Sequence, residues 1–309
     1  GKSKVRLGLT NLPGDNSRSP TVYNVYTHTQ PCFEPLTGEQ QPEPFMWGKK
    51  LEKPENFSER VKDKALSKVK EVAESGGSLR DLATIYNAEW TGYAGDERLI
   101  QYAKGPLDAG AQKFDVQGRF TGNGNHPEWT GAGREYARWY NKLHKGFEKY
   151  GLLDEKIKLK KSGEMTRRRA YARWFAGEYE SNIMKRRDYT NQTIRHNAGL
   201  YHLNRALQLL NSEDALSEQE GRWLAYEALG MVPYGADGGN HGSGSWYRES
   251  MKAGFPWFVV TEKGLCRERA GYDSNYGEHI VGHGTALAGD VGDYQMLARA
   301  EEIVKARSQ

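Results

Sequence analysis

After Pro54 the apolar residues Phe57, Val61, Ala65, Val69 and Val72 recur at spacings of three and four, the period of a helix that buries one face. Ser-Leu-Arg-Asp from Ser78 has the form of a capping box and predicts a second helix through LATIYNAEW. Past the glycine- and asparagine-rich connection RFTGNGNHPEWTGAG, helical periodicity predicts helices over about 133–150, 166–184, 190–211 and 217–230. Tyr171, Trp174, Phe175, Tyr179 and Ile183 share one face of the second of these, and Leu200, Leu203, Leu207 and Leu210 do so in the third. Ser217 and Glu220 have capping-box spacing at the start of the fourth.

The remainder alternates glycine-rich loops with shorter helical stretches, SWYRESMKAGFPWFVV, NYGEHIVGHGTALAG and DYQMLARAEEIVKAR. Strands have almost no room between about 133 and 230, and the remainder shows no fixed repeat period of the kind that marks a solenoid. Residues 1–50 differ, because the short β-type runs KVRLGLT and TVYNVYTHT are broken by Pro, Gly and Asn. The pattern predicts an extended N-terminal arm or small β segment over 1–50 and one mainly α domain over 51–309, built of antiparallel helix pairs. The last helix runs nearly to Gln309 without a stop signal, which predicts continuation into a longer protein.

Composition changes this picture little. The chain has 309 residues, enough to bury a sizeable core, and its 36 glycines and 11% aromatic content predict long connections between aromatic-rich elements. A net charge of +4 favours an anionic partner without choosing its class. No apolar run approaches the roughly 18 residues of a membrane span, so no membrane partner is expected. Cys32 and Cys266 form no metal-ligand spacing and are read as one disulfide or two free thiols. The basic run KIKLKKSGEMTRRR from Lys156 lacks the context of any nucleic-acid motif; it reads as a solvated face, with no nucleic-acid partner.

The stretch YGADGGNHGSGSWYRES, residues 234–250, carries the most chemistry. Its simplest reading is a surface loop, with Asp237 and Asn240 as turn residues and Trp246 packing as a helix begins. Yet glycine lets backbone approach a ligand, and here it flanks the amide Asn240, the imidazole His241, the phenol Tyr247 and the cation Arg248. These groups suit β-elimination on a uronic acid. Amide, imidazole and guanidinium groups neutralise the carboxylate and stabilise the enolate-like intermediate, while a phenol takes the proton beside it and returns one to the leaving oxygen.

An Asn-His pair in a glycine-rich setting between helices resembles the α/α-toroid polysaccharide lyases, especially the alginate-lyase and heparinase II/III groups. YTNQTIRHNAGLYHLNRALQLL from Tyr189 is similar to a toroid helix with Asn and His near its start, and GLCRERAGYDSNYGEHIVGHGTALAGD is similar to the Gly/Tyr-rich segment that follows. The resemblance covers about residues 130–305. It implies an incomplete or complete (α/α) toroid, an acidic polysaccharide substrate, no cofactor and no metal, and a secreted or periplasmic location. It further implies that Asn240 and His241 neutralise the carboxylate, with Asn191 a further candidate, that Tyr or His serves as base and Tyr as acid, and that Tyr247, Tyr272 or Tyr276 supplies the proton-transfer phenol. Trp246, Arg248, His196, Arg187, Arg267 and His279 are the expected substrate contacts.

His279 and His283 have the spacing of helical metal ligands, but no glutamate stands between them in the HExxH manner and Gly282 weakens the helix, so one of them is read as orienting the tyrosine or lining the cleft. Asn197, His202 and Asn204 read as solvated or capped polar positions. Two alternatives remain open. One is an (α/α) glycoside hydrolase using Asp237 with a second carboxylate such as Glu178, Glu249 or Glu268. The other is a protein that binds acidic glycans without turnover.

Overall fold

The computed structural model describes residues 59–118, 132–183, 190–232, 260, 267–268, 271–272 and 274–308, with side chains over 63–118, 134–181, 194–232, 260 and 281–306. Helix accounts for 75% of what it describes, so the chain is mainly α. The helices are α1 (Glu59–Ser75), α2 (Leu79–Tyr86), α3 (Glu97–Gln117), α4 (Ala132–Lys149), α5 (Arg167–Ile183), α6 (Thr190–Leu209), α7 (Glu218–Ala228), α8 (Ser274–Val291) and α9 (Tyr294–Ser308). Two short antiparallel ribbons accompany them, β1 (Lys156–Leu159) with β2 (Gly163–Thr166) and β3 (Arg267–Glu268) with β4 (Gly271–Tyr272). Strands are thus few among the described residues, as expected, but the first ribbon falls in the stretch expected to have almost no room for them. In the first, Ile157 and Leu159 alternate with exposed lysines, a strand period hidden inside what reads as a charge run. The predicted arm over 1–50 lies outside the described residues.

The described residues form two compact units, one from 59–181 and 202–215, the other from 190–201 and 216–308. In the first unit, α2 begins at Ser78, whose hydroxyl accepts from the Asp81 amide. Helix α3 lies in a stretch where the sequence pattern assigns no element, and it contains Gly105, Pro106 and Gly110. It forms because Asp96 caps its start, Gly118 closes it at φ 71°, and its buried face, including Leu99, Ile100, Ala103, Leu107 and Ala111, packs into the core. Gly110 serves packing. A Cβ there would fall inside the Trp174 indole, and one at Gly177 of α5 would fall inside the Phe114 ring, so each helix offers a notch to the other's aromatic. Tyr171, Trp174 and Phe175 are buried with Tyr140 and Phe147 of α4 in a run of tilted and edge-on rings, as their shared stripe predicts.

Arg167 stands where β2 runs into α5 and is buried, at 6% exposure. Its Nε donates to both oxygens of Asp108 on α3, each at 3.0 Å, and the same guanidinium bonds Glu155 and the Leu152 carbonyl. Tyr171 donates to Asp108 as well, at 2.7 Å. Burial, and next the Asp108 charge, hold that phenol well above its ordinary value of 10.0 and keep it a donor. The tip of the β1–β2 hairpin is fixed in the same way. Asp115 of α3 accepts from the backbone amides of Lys161 and Ser162, from the Ser162 hydroxyl and from Arg173. Burial opposes ionisation of Asp115, but these donors outweigh it and hold the carboxyl below the usual carboxylate range.

The second unit buries Ile194 of α6, Ala225, Tyr226 and Ala228 of α7, Leu287 and Ala288 of α8, and Met296, Ala300 and Ile303 of α9 around one core. Its α7 begins in the predicted capping box, with Ser217 and Glu220 bonding each other's backbone amides. Asp293 joins two helices: it caps α9 through the Gln295 and Met296 amides and accepts from Tyr226 at 2.8 Å and Arg222 at 3.5 Å, both on α7. At Gly230, φ is 64° and a Cβ would collide with the Val260 carbonyl, so only glycine fits. Among the described residues, no helix is long and apolar enough to cross a membrane.

Two outcomes test this packing. Arg167→Met removes one partner of a buried ion pair and is expected to cost about 3 kcal/mol in urea denaturation. Gly110→Ala is expected to destabilise by about 1–3 kcal/mol because the indole must move. By contrast, Gly282→Ala on the open face of α8 is expected to stabilise by up to about 1 kcal/mol, since nothing lies near its Cβ.

Candidate functional site

In the second unit two helices bring polar side chains into the interior. Asn197 of α6 is fully buried, and its Nδ2 donates to the Leu224 carbonyl at 3.0 Å and to Glu227 at 2.9 Å. Leu224 and Glu227 are three residues apart on α7, so one amide grips two successive groups on a single helix face. Glu227 is as completely buried as Asn197, and His196 beside it is 1% exposed. The Oδ1 of Asn197 has no hydrogen-bond partner. The expectation that Asn197 is solvated or capped is therefore corrected: it is an interior hydrogen-bonding residue, joined to a carboxylate that the sequence did not single out. His202 and Asn204 are buried too, again unlike the solvated positions expected of them.

The structure reaches some of the nominated residues through their backbones. Asn191 lies in the first turn of α6, and Tyr276 and His279 lie in the opening turns of α8, three apart in sequence. Arg267 and Tyr272 are partners across the β3–β4 ribbon. His196 is the nominated residue whose side chain is described, and it is interior. Asn240, His241, Trp246, Tyr247, Arg248 and Arg187 lie outside the described residues, as do Asp237 and Glu249. Glu178, weighed as a hydrolytic carboxylate, is buried in α5 at 3% exposure. Tyr294 begins α9 and is exposed. Among the described residues, no group of His, Cys, Asp and Glu is arranged to hold a metal ion.

The first unit holds a groove of about 1330 Å³. The outer face of α5 forms one side with Arg168, Arg169, Arg173 and Glu180; the C-terminal end of α3 and the turn after α6 complete it. Four carboxylates, Asp115, Glu180, Glu213 and Asp214, share the lining with the three arginines. Arg168 is held by Glu148 and Asp154, each at 3.5 Å, and Arg173 is held by Asp115.

Behind Arg168 runs a polar chain along α4. The Tyr140 hydroxyl lies 2.8 Å from Nδ1 of His144, and Nε2 of His144 lies 3.4 Å from Glu148. With the phenol donating to Nδ1, the ring proton sits on Nε2 facing the carboxylate. Burial pulls the His144 pKa down, and Arg168 and Arg205 add to this; Glu148 opposes it without reversing the direction. Burial also pushes the Tyr140 phenol well above its ordinary range.

Compared with protein-family models, with curated proteins and with solved structures, the chain matches none. The functional reading therefore rests on the residues themselves.

His144 gives a testable pH dependence. Its pKa in the folded state lies below the ordinary value of 6.5, so the unfolded chain binds the proton more readily. The stability contributed by the neutral ring is then complete above 6.5 and is lost progressively as the pH falls from there through the lower folded-state value. Chemical denaturation of the protein between pH 7 and about 5 should show this loss, and His144→Gln should flatten the slope.

Proposed function

We propose that the chain is a polysaccharide lyase that cleaves a uronic-acid-containing glycan by β-elimination, built as an (α/α) toroid and acting outside the cytoplasm. In this reading Asn240 and His241, with Asn191, neutralise the substrate carboxylate. Tyr276, Tyr272 or Tyr247 takes the ring proton beside it. The electron pair left behind forms a double bond as the bond to the 4-linked oxygen breaks, and a proton is returned to that oxygen. Trp246 offers a ring for sugar stacking, Arg248, Arg187 and Arg267 offer cations, and His196 and His279 line the cleft. No cofactor or metal is required.

One observation carries the reading further than the sequence does. Helix α6, which bears Asn191, and helix α8, which bears Tyr276 and His279, contribute Ile194 and Leu287 to the same core. Ile194 and Leu287, 93 positions apart, share one core, and the helices that carry Asn191 and Tyr276 thereby pack into one body, which supports a site assembled from separate segments. The packing of consecutive helices α1 on α2, α2 on α3 and α8 on α9 is compatible with the helix pairs of a toroid.

Incubation with alginate, glucuronan, heparinoid, chondroitin and pectic polymers tests the proposal through the ultraviolet absorbance of the unsaturated product. The expected result is a rise with one of them that falls by about a hundredfold or more in His241→Ala and in whichever of Tyr276→Phe, Tyr272→Phe and Tyr247→Phe removes the proton carrier. No rise with any polymer contradicts it. Reducing ends released without absorbance, and lost in Asp237→Asn, would establish the hydrolytic alternative instead.

A further inference from the structure

The charges that line the groove of the first unit divide into those the fold neutralises and those it leaves uncompensated. Arg168 is held by Glu148 and Asp154, which lie outside the lining, and Arg173 is held by Asp115 within it. Glu180, Glu213 and Asp214 are exposed and have no ion pair among the described residues; Asp214 accepts only from Ser212 of its own turn. Arg169 is the one lining cation in the same condition. Three uncompensated carboxylates thus face one uncompensated guanidinium, and the groove is acidic. Helix ends tilt its field the same way. The C-terminal ends of α3, at Gly118, and of α6, at Leu210 and Asn211, open on it, against the N-terminal end of α5 alone, and a helix C-terminus favours cations. Between the charges the surface is apolar, with Ala172 and Ala176 on α5 and the half-buried rings of Phe114 and Tyr179.

We propose that this groove docks a basic segment of a partner protein, an extended stretch of several residues that carries lysines or arginines. Glu180, Glu213 and Asp214 pair with its cationic heads, while the alanines and the Phe114 and Tyr179 rings meet the methylene stems. The size agrees. At about 1330 Å³ the space exceeds the roughly 300–1,000 Å³ of a small-molecule pocket. Arg169 and Glu180 lie on one face of α5, about 16 Å apart along its axis at 1.5 Å per residue, which is the reach of about five extended residues. The leftover arginine decides between a peptide and a small polyamine. A polyamine offers Arg169 no acceptor and meets it with like charge, whereas a peptide brings a carbonyl with every residue, to which the guanidinium donates. Acidic chains of any kind, nucleic acid or glycan, meet three carboxylates with like charge. The docking is separate from the elimination chemistry, since the described residues of this unit include none of those nominated for proton transfer.

The test is titration of the full chain, at low ionic strength, into a fluorescent dodecapeptide of alternating lysine and alanine, read by anisotropy. The glutamine–alanine and glutamate–alanine peptides of the same length serve as comparisons, and spermine as a competitor. The expected result is binding of the lysine peptide alone, weakened about tenfold or more in the double variant Glu213→Lys with Asp214→Lys, and weakened further as salt is raised. Arg169→Gln keeps a donor for the peptide carbonyls and removes a repelling charge, so it should bind at least as tightly as the parent. Glu71→Lys, an exposed charge reversal on α1 away from the groove, should change the affinity less than about twofold. Equal affinity in the double variant and the parent overturns the proposal, as does an equal loss in Glu71→Lys, a loss in Arg169→Gln, or preference for the glutamate peptide. Displacement by spermine at concentrations below those of unlabelled lysine peptide also overturns it, in favour of a small polyamine. The outcome is independent of catalysis, because a chain that yields no unsaturated product can still bind in this groove, and an active one can fail to.

Discussion

A guanidinium inside a protein has to find there the hydrogen bonds it gives up in water, and the first unit is organised around meeting that demand for Arg167. Asp108, Glu155 and the Leu152 carbonyl meet it from α3 and from the turn after α4. An unpaired charge in that position would cost several kcal/mol, so these elements hold together or come apart together. The consequence runs outward along α5. Once Arg167 is fixed, the next turns of the helix must present Tyr171, Trp174 and Phe175 to the core and Arg169, Arg173 and Glu180 to the groove. The Asp115 cluster repeats the device one hairpin away, where a carboxylate on α3 immobilises Ser162 and Arg173.

The second unit uses neutral and acidic groups where the first uses a cation. Asn197 bridges to Glu227 and Leu224, and Asp293 gathers Tyr226, Arg222 and the start of α9. Both devices keep helices in fixed register without a large sheet. For an elimination site assembled from separate segments, such register matters more than any single side chain, because carboxylate neutralisation and proton removal must act on adjacent atoms of one sugar ring. The proposed chemistry and the observed packing meet on α6, whose first turn bears Asn191 and whose next turns enter the core and the Asn197 bridge.

Much of the helical framework was legible in the sequence. The four central helices appear within two residues or so of the periodicity, and the Ser217–Glu220 box forms as its spacing implies. The failures have physical causes. Helix α3 carries Gly105, Pro106 and Gly110, residues that interrupt a helical pattern, while Gly110 is in fact a socket for an indole 64 residues away. The β1–β2 hairpin escaped because lysines outnumber the two apolar residues that anchor it. Asn197 and Glu227 look like surface residues in any local window, since what buries them is a partner thirty residues distant. The nominated groups between 234 and 250 lie outside the described residues, so the candidate site stays legible only as residue types in a glycine-rich setting.

The most direct measurement of the central claim is a double-mutant cycle between Asp108 and Arg167, using Asp108→Ala, Arg167→Met and the pair in urea denaturation. If the buried pair holds α3 to the start of α5, the two substitutions should be non-additive by about 2 kcal/mol or more, the double variant being less damaged than the sum. Additivity within about 0.5 kcal/mol would contradict the account, because the two residues would then contribute to stability independently of each other.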